Sequence, residues 1–216
     1  MTDPTRIFNA DESGFSFDPK HRKVIACKGA KNVYNITSNT KTRVTVLATV
    51  NAADFYLPPL LIYPYKRVPG KNLLNGFPDA LVQVSENGWI TAAIFFAWLR
   101  DTFIPETMHI KKPLLLLVDG HICHTSLYET SEICEDNGII LYCLLAHSSH
   151  LMQSLDQTFY GSVKSAWSDA SRRPIAETGD AVGLDTSAKV FQHFWQTCAT
   201  TENAESSYRA AGIFPF

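Results

Sequence analysis

No stretch of the 216 residues is apolar for long enough to cross a bilayer. The opening MTDPTRIF has no apolar core of the kind a secretory leader needs. The expectation is therefore a chain without a membrane partner. Neither GxxxxGK[ST] nor GxGxxG occurs, so a loop that cradles nucleotide phosphates is unsupported. GxSxG is missing too, which sets aside a serine nucleophile on a strand-to-helix elbow. The five cysteines are odd in number, lack framework spacing and form no CxxC. That excludes a disulfide scaffold, points to reduced thiols inside a cell and argues against structural zinc. No internal repeat or low-complexity segment is present.

What is there suits one globular domain: 45% hydrophobic and 12% aromatic residues, enough for a sizeable core. The net charge of -2 conceals an asymmetry. Lys20 to Lys71 holds ten Lys or Arg against Asp54 alone, 10 - 1 = +9, whereas the rest holds nine against twenty acids, or -11. A solvated basic face explains most such runs. With Tyr34, Tyr56, Tyr63 and Tyr65 in it, a polyanion partner is the competing explanation.

The centre of the chain is PLLLLVDGHICHTS, Pro113 to Ser126. Leu114 to Val118 reads as a strand buried on both faces, and Gly120 lets the backbone leave the sheet. Asp119 then stands at the carboxyl end of a central strand, where open α/β sheets place ligand sites; the alternative is that it only shapes a turn. Ser126 and Glu129 form a capping-box pattern for a helix from Leu127 to Asp136, which Asn137-Gly138 ends.

The remaining elements follow from periodicity. Arg6 to Ala10 predicts a strand ending in a polar turn at Asp11-Glu12-Ser13-Gly14, with Asp11 either a ligand or an Asx turn and Glu12 a solvated neighbour. Lys23 to Cys27, Thr42 to Val50 and Leu60 to Tyr63 predict further strands of an antiparallel meander. Pro69 to Trp89 reads as loop. A helix capped by Thr91 runs to about Phe103, ends at Pro105 and packs Ile94, Phe95, Trp98 and Leu99 into the core. Ile139 to Leu145 reads as a second buried strand, giving a parallel crossover. After a polar loop at Ala146 to His150, Ser154-Leu-Asp-Gln157 repeats the capping box and opens a helix to about Ala170, with Asp156 in its first turn. Asp favours first turns for stability alone, so that reading stays beside the functional one. Ser171 to Ser187 predicts a linker, and Ala188 to Thr200 and Ala204 to Ala211 predict helices. The whole is an α/β sheet with one antiparallel half.

Three aspartates, at two strand ends and a helix start, suit hard divalent cations, Mg²⁺ or Mn²⁺, rather than zinc. Two such ions about 4 Å apart activate a water or hydroxyl and stabilise the leaving oxygen of a phosphodiester. The pairs His121/His124 and His147/His150 each form HxxH. They either make a zinc site or line the cleft, and no third ligand is spaced to match zinc.

NADESGF (Asn9 to Phe15), KVIACKG (Lys23 to Gly29), LLLVDGHICHTS (Leu115 to Ser126), AHSSHLMQSLDQTFYGSVK (Ala146 to Lys164) and the ending SSYRAAGIFPF together resemble the DDE superfamily endonuclease domain of pogo, Tigger and Jerky type transposases. The resemblance implies a ribonuclease-H-like mixed sheet flanked by helices, a nuclear location, DNA as partner with a homodimer as one arrangement, and metal-dependent DNA cleavage and strand transfer. It implies Asp11, Asp119 and Asp156 as the catalytic, metal-holding triad, the third acid being 156 - 119 = 37 positions after the second. Ser154 and Ala146-His147 depart from the family's prolines. The family's helix-turn-helix region has no counterpart, so the expectation is a single catalytic domain over residues 1–216. The competing reading is a domesticated, non-catalytic DNA- or chromatin-binding protein.

Overall fold

A computed structural model describes residues 2–17, 42–121, 127–145, 148–170 and 182–215. Six strands form one sheet: β1 (Ile7–Ser16), β2 (Arg43–Asn51), β3 (Leu60–Pro64), β4 (Leu81–Ser85), β5 (Leu114–Val118) and β6 (Ile139–Cys143), in the order β4-β3-β2-β1-β5-β6. β1 pairs antiparallel with β2, and β2 with β3. β5 lies parallel to β1 and β6 parallel to β5. The antiparallel half and the β5 to β6 crossover are as the residues predict.

Four strand expectations are corrected. Asp11 to Gly14 is no turn, because β1 runs on to Ser16 with Asp11 opposite Ala48 and Gly14 opposite Thr45. The ladder to the β-branched β2 outweighs the turn preference of an Asp-Ser-Gly sequence. Leu81–Ser85, read as loop, is β4, parallel to β3. β6 is not buried on both faces: it forms the sheet edge, and Ile140 and Tyr142 are half exposed. It also ends at Cys143 rather than Leu145. The Lys23 to Cys27 strand lies outside the described residues.

The helices are α1 (Ala92–Trp98), α2 (Ile104–Thr107), α3 (Tyr128–Asp136), α4 (Ser149–Met152), α5 (Ser154–Gln157), α6 (Phe159–Ala170), α7 (Ser187–Cys198) and α8 (Thr201–Ala210). Thr91 caps α1 as expected, accepting from the Ile94 N–H at 3.3 Å. Pro105 does not stop that helix. A π-helical turn, Leu99–Phe103, intervenes, and the helix continues through it into α2, whose second residue is Pro105. The single helix expected from Leu155 to Ala170 is broken at Thr158 (φ -134°, ψ -46°) into α5 and α6.

Strand alternation sends side chains to two separate cores. Phe8, Ala10, Leu47, Ile62, Leu116 and Val118 meet Phe95, Trp98, Leu99 and Phe103 on one face of the sheet. Ile7, Phe15, Val46, Val50 and Leu117 meet Leu155, Phe159, Val163, Phe191 and Tyr208 on the other. β2 is buried along nearly its whole length because it is covered on both sides.

Candidate active site

The parallel register of β1 and β5 fixes the first two aspartates. Ile7 is level with Leu115 and Asn9 with Leu117, an offset of 117 - 9 = 108. The same offset sets Asp11 level with Asp119, since 119 - 11 = 108. The ladder stops at Asn9 and Leu117, so both carboxylates stand two residues past the last pair of β1 and β5. Asp119 also shapes the turn after β5, its Oδ1 accepting from the His121 N–H at 3.1 Å.

The third aspartate arrives on α5. Asn9, fully buried, directs its side chain to the α5 face, and its amide makes four hydrogen bonds. Its Nδ2 donates to the Leu117 carbonyl at 3.1 Å and to Gln153 Oε1 at 3.0 Å. Its Oδ1 accepts from Ser154 Oγ at 2.7 Å and from the Leu155 N–H at 3.2 Å. Gln153 Nε2 donates to the Ala10 carbonyl at 3.1 Å. The start of α5 is thus bound to β1 and β5, and Asp156 follows in its first turn. Ser154, expected to cap the helix, is instead buried and committed to Asn9.

Tyr160 of α6 completes the support. Its buried hydroxyl lies 2.6 Å from the Asp11 carbonyl and 3.0 Å from the Val46 carbonyl, donating to one at a time, and accepts from the Ala48 N–H at 3.2 Å. Tyr208 of α8 does the same lower on the ladder, 3.1 Å from the Ile7 carbonyl and 2.8 Å from that of Val50. Neither tyrosine, nor Asn9 or Gln153, is singled out by periodicity. The one signal was a polar Asn inside the apolar run RIFNA, since a polar residue at a core position needs partners.

Asp11 is 6% exposed, and its Oδ2 is buried without a hydrogen-bond partner. Burial, then the negative charge of Asp156, hold its carboxyl well above the usual carboxylate range; Glu12 and Asp119 add to this and the Gln153 amide opposes it. Asp156 is exposed at the rim, yet the atoms packed about its carboxyl raise it, Lys164 opposes, and Asp119 adds to the rise. The three aspartates share one electrostatic neighbourhood.

A family model for the DDE superfamily endonuclease matches residues 41–182, 142 of the 216. The chain belongs to this family. The matched span contains Asp119 and Asp156, and Asp11 precedes it. A protein of Cochliobolus lunatus named MFS-type transporter clz9 is 29% identical over 215 residues, which is 97% of this chain and 23% of that protein. Among solved structures, a pre-cleavage Mos1 transpososome aligns with a TM-score of 0.54 and 14% identity over 98% of this chain and 57% of that one. A mariner Mos1 paired-end complex with Mg aligns with a TM-score of 0.51 and 15% identity over the same shares. The chain spans just over half the length of the Mos1 chains and about a quarter of the named transporter. At such identities the likeness shows the fold, the ribonuclease-H-like mixed sheet flanked by helices. Among the described residues, no helix is long and apolar enough to cross a membrane.

In this DDE domain the donor chemistry suits a hard divalent cation: three carboxylates, one with an oxygen left over. Their arrangement does not yet converge, for among the described residues no three His, Cys, Asp or Glu side chains are spaced to hold a metal ion. His124 and His147 lie outside the described residues, as does the His150 side chain, and with them both HxxH readings. Of the basic segment, Lys28 and Lys31 also lie outside. Lys66 pairs with Glu86 at 2.7 Å and Lys71 with Asp185. Arg43 lies over the Trp89 ring, 4.9 Å from its centroid. Acids from beyond the segment offset part of its charge.

Proposed function

We propose that this chain is the catalytic core of a transposase-type DNA endonuclease that cleaves and joins strands with Mg²⁺ or Mn²⁺. In this reading Asp11, Asp119 and Asp156 are the catalytic carboxylates and hold the metal. The observation that supports it is that Asp11 and Asp119 each follow by two residues the last pair of the parallel β1 and β5, and that Asp156, on α5, is near enough for its charge to act on Asp11. Membership of the DDE endonuclease family supports the reaction class. Bound divalent cations supply an activated attacking oxygen and stabilisation of the leaving one.

The protein's part is to keep three like charges together. Burial of Asp11 and the charge of Asp156 disfavour full ionisation of the cluster, so a bound cation would displace protons and relieve the repulsion. Lys164, whose ammonium lies 5.5 Å from the Tyr160 ring centroid and favours the Asp156 carboxylate, brings positive charge to the rim. The Mos1 structures named for paired ends, a transposon end and Mg support DNA ends and Mg²⁺ as partners. A homodimer acting on two ends and a nuclear location belong to the same proposal.

The test is nicking of supercoiled plasmid with Mg²⁺ or Mn²⁺ against EDTA. The expected result is metal-dependent nicking, lost in Asp11→Asn, Asp119→Asn and Asp156→Asn while each variant keeps its fold by circular dichroism. Nicking that survives EDTA or Asp119→Asn would overturn the assignment. DNA binding without nicking would establish the non-catalytic descendant instead.

A further inference from the structure

We propose that Asn9 is the positioning residue of this site: its one side-chain amide sets the spacing of the three segments that carry the aspartates. This rests on the reading of Asp11, Asp119 and Asp156 as a metal-holding triad. Each of its bonds lands close to one of them. Asn9 itself precedes Asp11 by two residues on the same face of β1. Its Nδ2 holds the carbonyl of Leu117, two residues before Asp119, at 3.1 Å. Its Oδ1 takes the N–H of Leu155, next to Asp156, at 3.2 Å, and the hydroxyl of Ser154 at 2.7 Å.

The amide is fully used, with both donors and both acceptor sites engaged. No smaller or purely accepting side chain reproduces that pattern. An aspartate of the same shape would lose both donor bonds and add a fourth like charge beside Asp11. A leucine would leave the Leu155 N–H and the Ser154 hydroxyl without their buried acceptor. Gln153 closes the ring by accepting from Asn9 and donating to the Ala10 carbonyl, which ties the turn before α5 to the residue before Asp11. Networks in which every member is satisfied are rigid. Rigidity has a purpose here, because three carboxylates that repel one another need a frame that does not yield.

A merely structural Asn9 would matter for stability alone, so the experiment compares two buried hydrogen-bonding residues that hold the same strand. Mn²⁺ binding is measured by electron paramagnetic resonance on the unaltered chain and on Asn9→Ser, Ser154→Ala and Trp167→Phe, with a thermal melt of each. Trp167, buried on α6, holds the far end of β1, its Nε1 donating to the Ser16 carbonyl at 2.8 Å, five residues beyond Asp11. The expected result is a loss of Mn²⁺ affinity of about 10- to 100-fold in Asn9→Ser, the range for residues that orient metal ligands. Ser154→Ala, which removes one of the four bonds, should lose less. Trp167→Phe should melt earlier and bind Mn²⁺ as before. If Asn9→Ser binds Mn²⁺ like the unaltered chain, Asn9 is scaffold only and the proposal fails. If Asn9→Ser does not fold, Ser154→Ala decides in its place, and an unchanged affinity there overturns the proposal. If the unaltered chain binds no Mn²⁺, or Asp119→Asn binds it equally well, the metal-triad reading fails and takes this inference with it.

Discussion

The two faces of the sheet are built on different principles. One core, where Phe95, Trp98, Leu99 and Phe103 meet Phe8, Ala10 and Leu116, is apolar. The other buries apolar surface as well, and into it project the Asn9, Gln153 and Ser154 side chains and the hydroxyls of Tyr160 and Tyr208. All five are spent on backbone or on one another around β1. Apolar packing is non-directional and tolerates small shifts, whereas hydrogen bonds fix distance and angle. The face that needs only to cohere is apolar, and the face that has to hold carboxylates in register is pinned.

The largest separation of the two faces lies in activity. Asp11→Asn, Asp119→Asn and Asp156→Asn each remove a carboxylate charge from the pinned face and should take plasmid nicking to background without unfolding the chain. Phe103→Ala on the apolar face should do the reverse. Phe103 is fully buried and stands edge-on to Phe8 at 5.2 Å between ring centroids. Its truncation should cost about 3–5 kcal/mol in chemical denaturation and leave the Mn²⁺ affinity of the folded fraction unchanged. A Phe103→Ala protein that folds and no longer binds Mn²⁺ would show that the faces are not separable.

Tyr160→Phe is expected between these extremes. It keeps the ring and removes the hydroxyl that serves Ala48 and either Asp11 or Val46. These groups keep their partners in the β1–β2 ladder, so the loss is that of an additional buried hydrogen bond, about 0.5–1.5 kcal/mol. Because one of those groups is the Asp11 carbonyl, Mn²⁺ affinity should fall with stability, unlike in Phe103→Ala. Stability lost without affinity would place Tyr160 with the scaffold.

The apolar face was legible in the sequence. Ile94, Phe95, Trp98 and Leu99 recur at helical spacing and all are buried; Leu114 to Val118 is a strand with the expected ends. The periodicity of an apolar face is its function, so pattern and structure coincide. On the pinned face the pattern located Asp119 after its strand and Asp156 in a first turn, because local signals, a glycine exit and a capping-box spelling, mark both. It misread Asp11 as turn, since the ladder to β2 that keeps β1 straight is set by residues more than thirty positions away. Gln153 and Tyr160 left no local trace, and Asn9 only that of a polar residue in an apolar run, because their bonds span 108 to 149 residues of chain.

The pH dependence sharpens the comparison on a smaller scale. Burial raises the Asp11 carboxyl in the native state above its ordinary value of 3.8. The native protein therefore retains a proton that the unfolded chain has released, and stability falls as pH rises from about 3.8 towards the raised native value. Asp156 contributes in the same direction. In EDTA, Asp11→Asn removes this cost and should melt higher than the unaltered chain at neutral pH, by about 2–4 °C for each kcal/mol regained. The gap should close as pH falls to about 4. A variant that melts lower at neutral pH would mean that the ionised carboxylate is stabilised in place, contrary to its burial beside Asp156.

The smallest effect is one that the two faces should share. Thr91 begins α1 on the apolar side and accepts from the Ile94 N–H at 3.3 Å. Thr200 begins α8 on the pinned side and accepts from the Asn203 N–H, also at 3.3 Å. Each satisfies one of the orphan donors of a helix start, a local debt that does not depend on what the helix packs against. Thr91→Ala and Thr200→Ala should therefore cost about the same, ~1 kcal/mol each, and neither should alter Mn²⁺ affinity. The sensitive case is Thr200, because α8 carries Tyr208 onto β1 and β2. If Thr200→Ala weakens Mn²⁺ binding where Thr91→Ala does not, the frame around Asn9 extends through the tyrosine to the far end of the chain. If the two variants behave alike, the frame around Asn9 does not depend on how α8 begins.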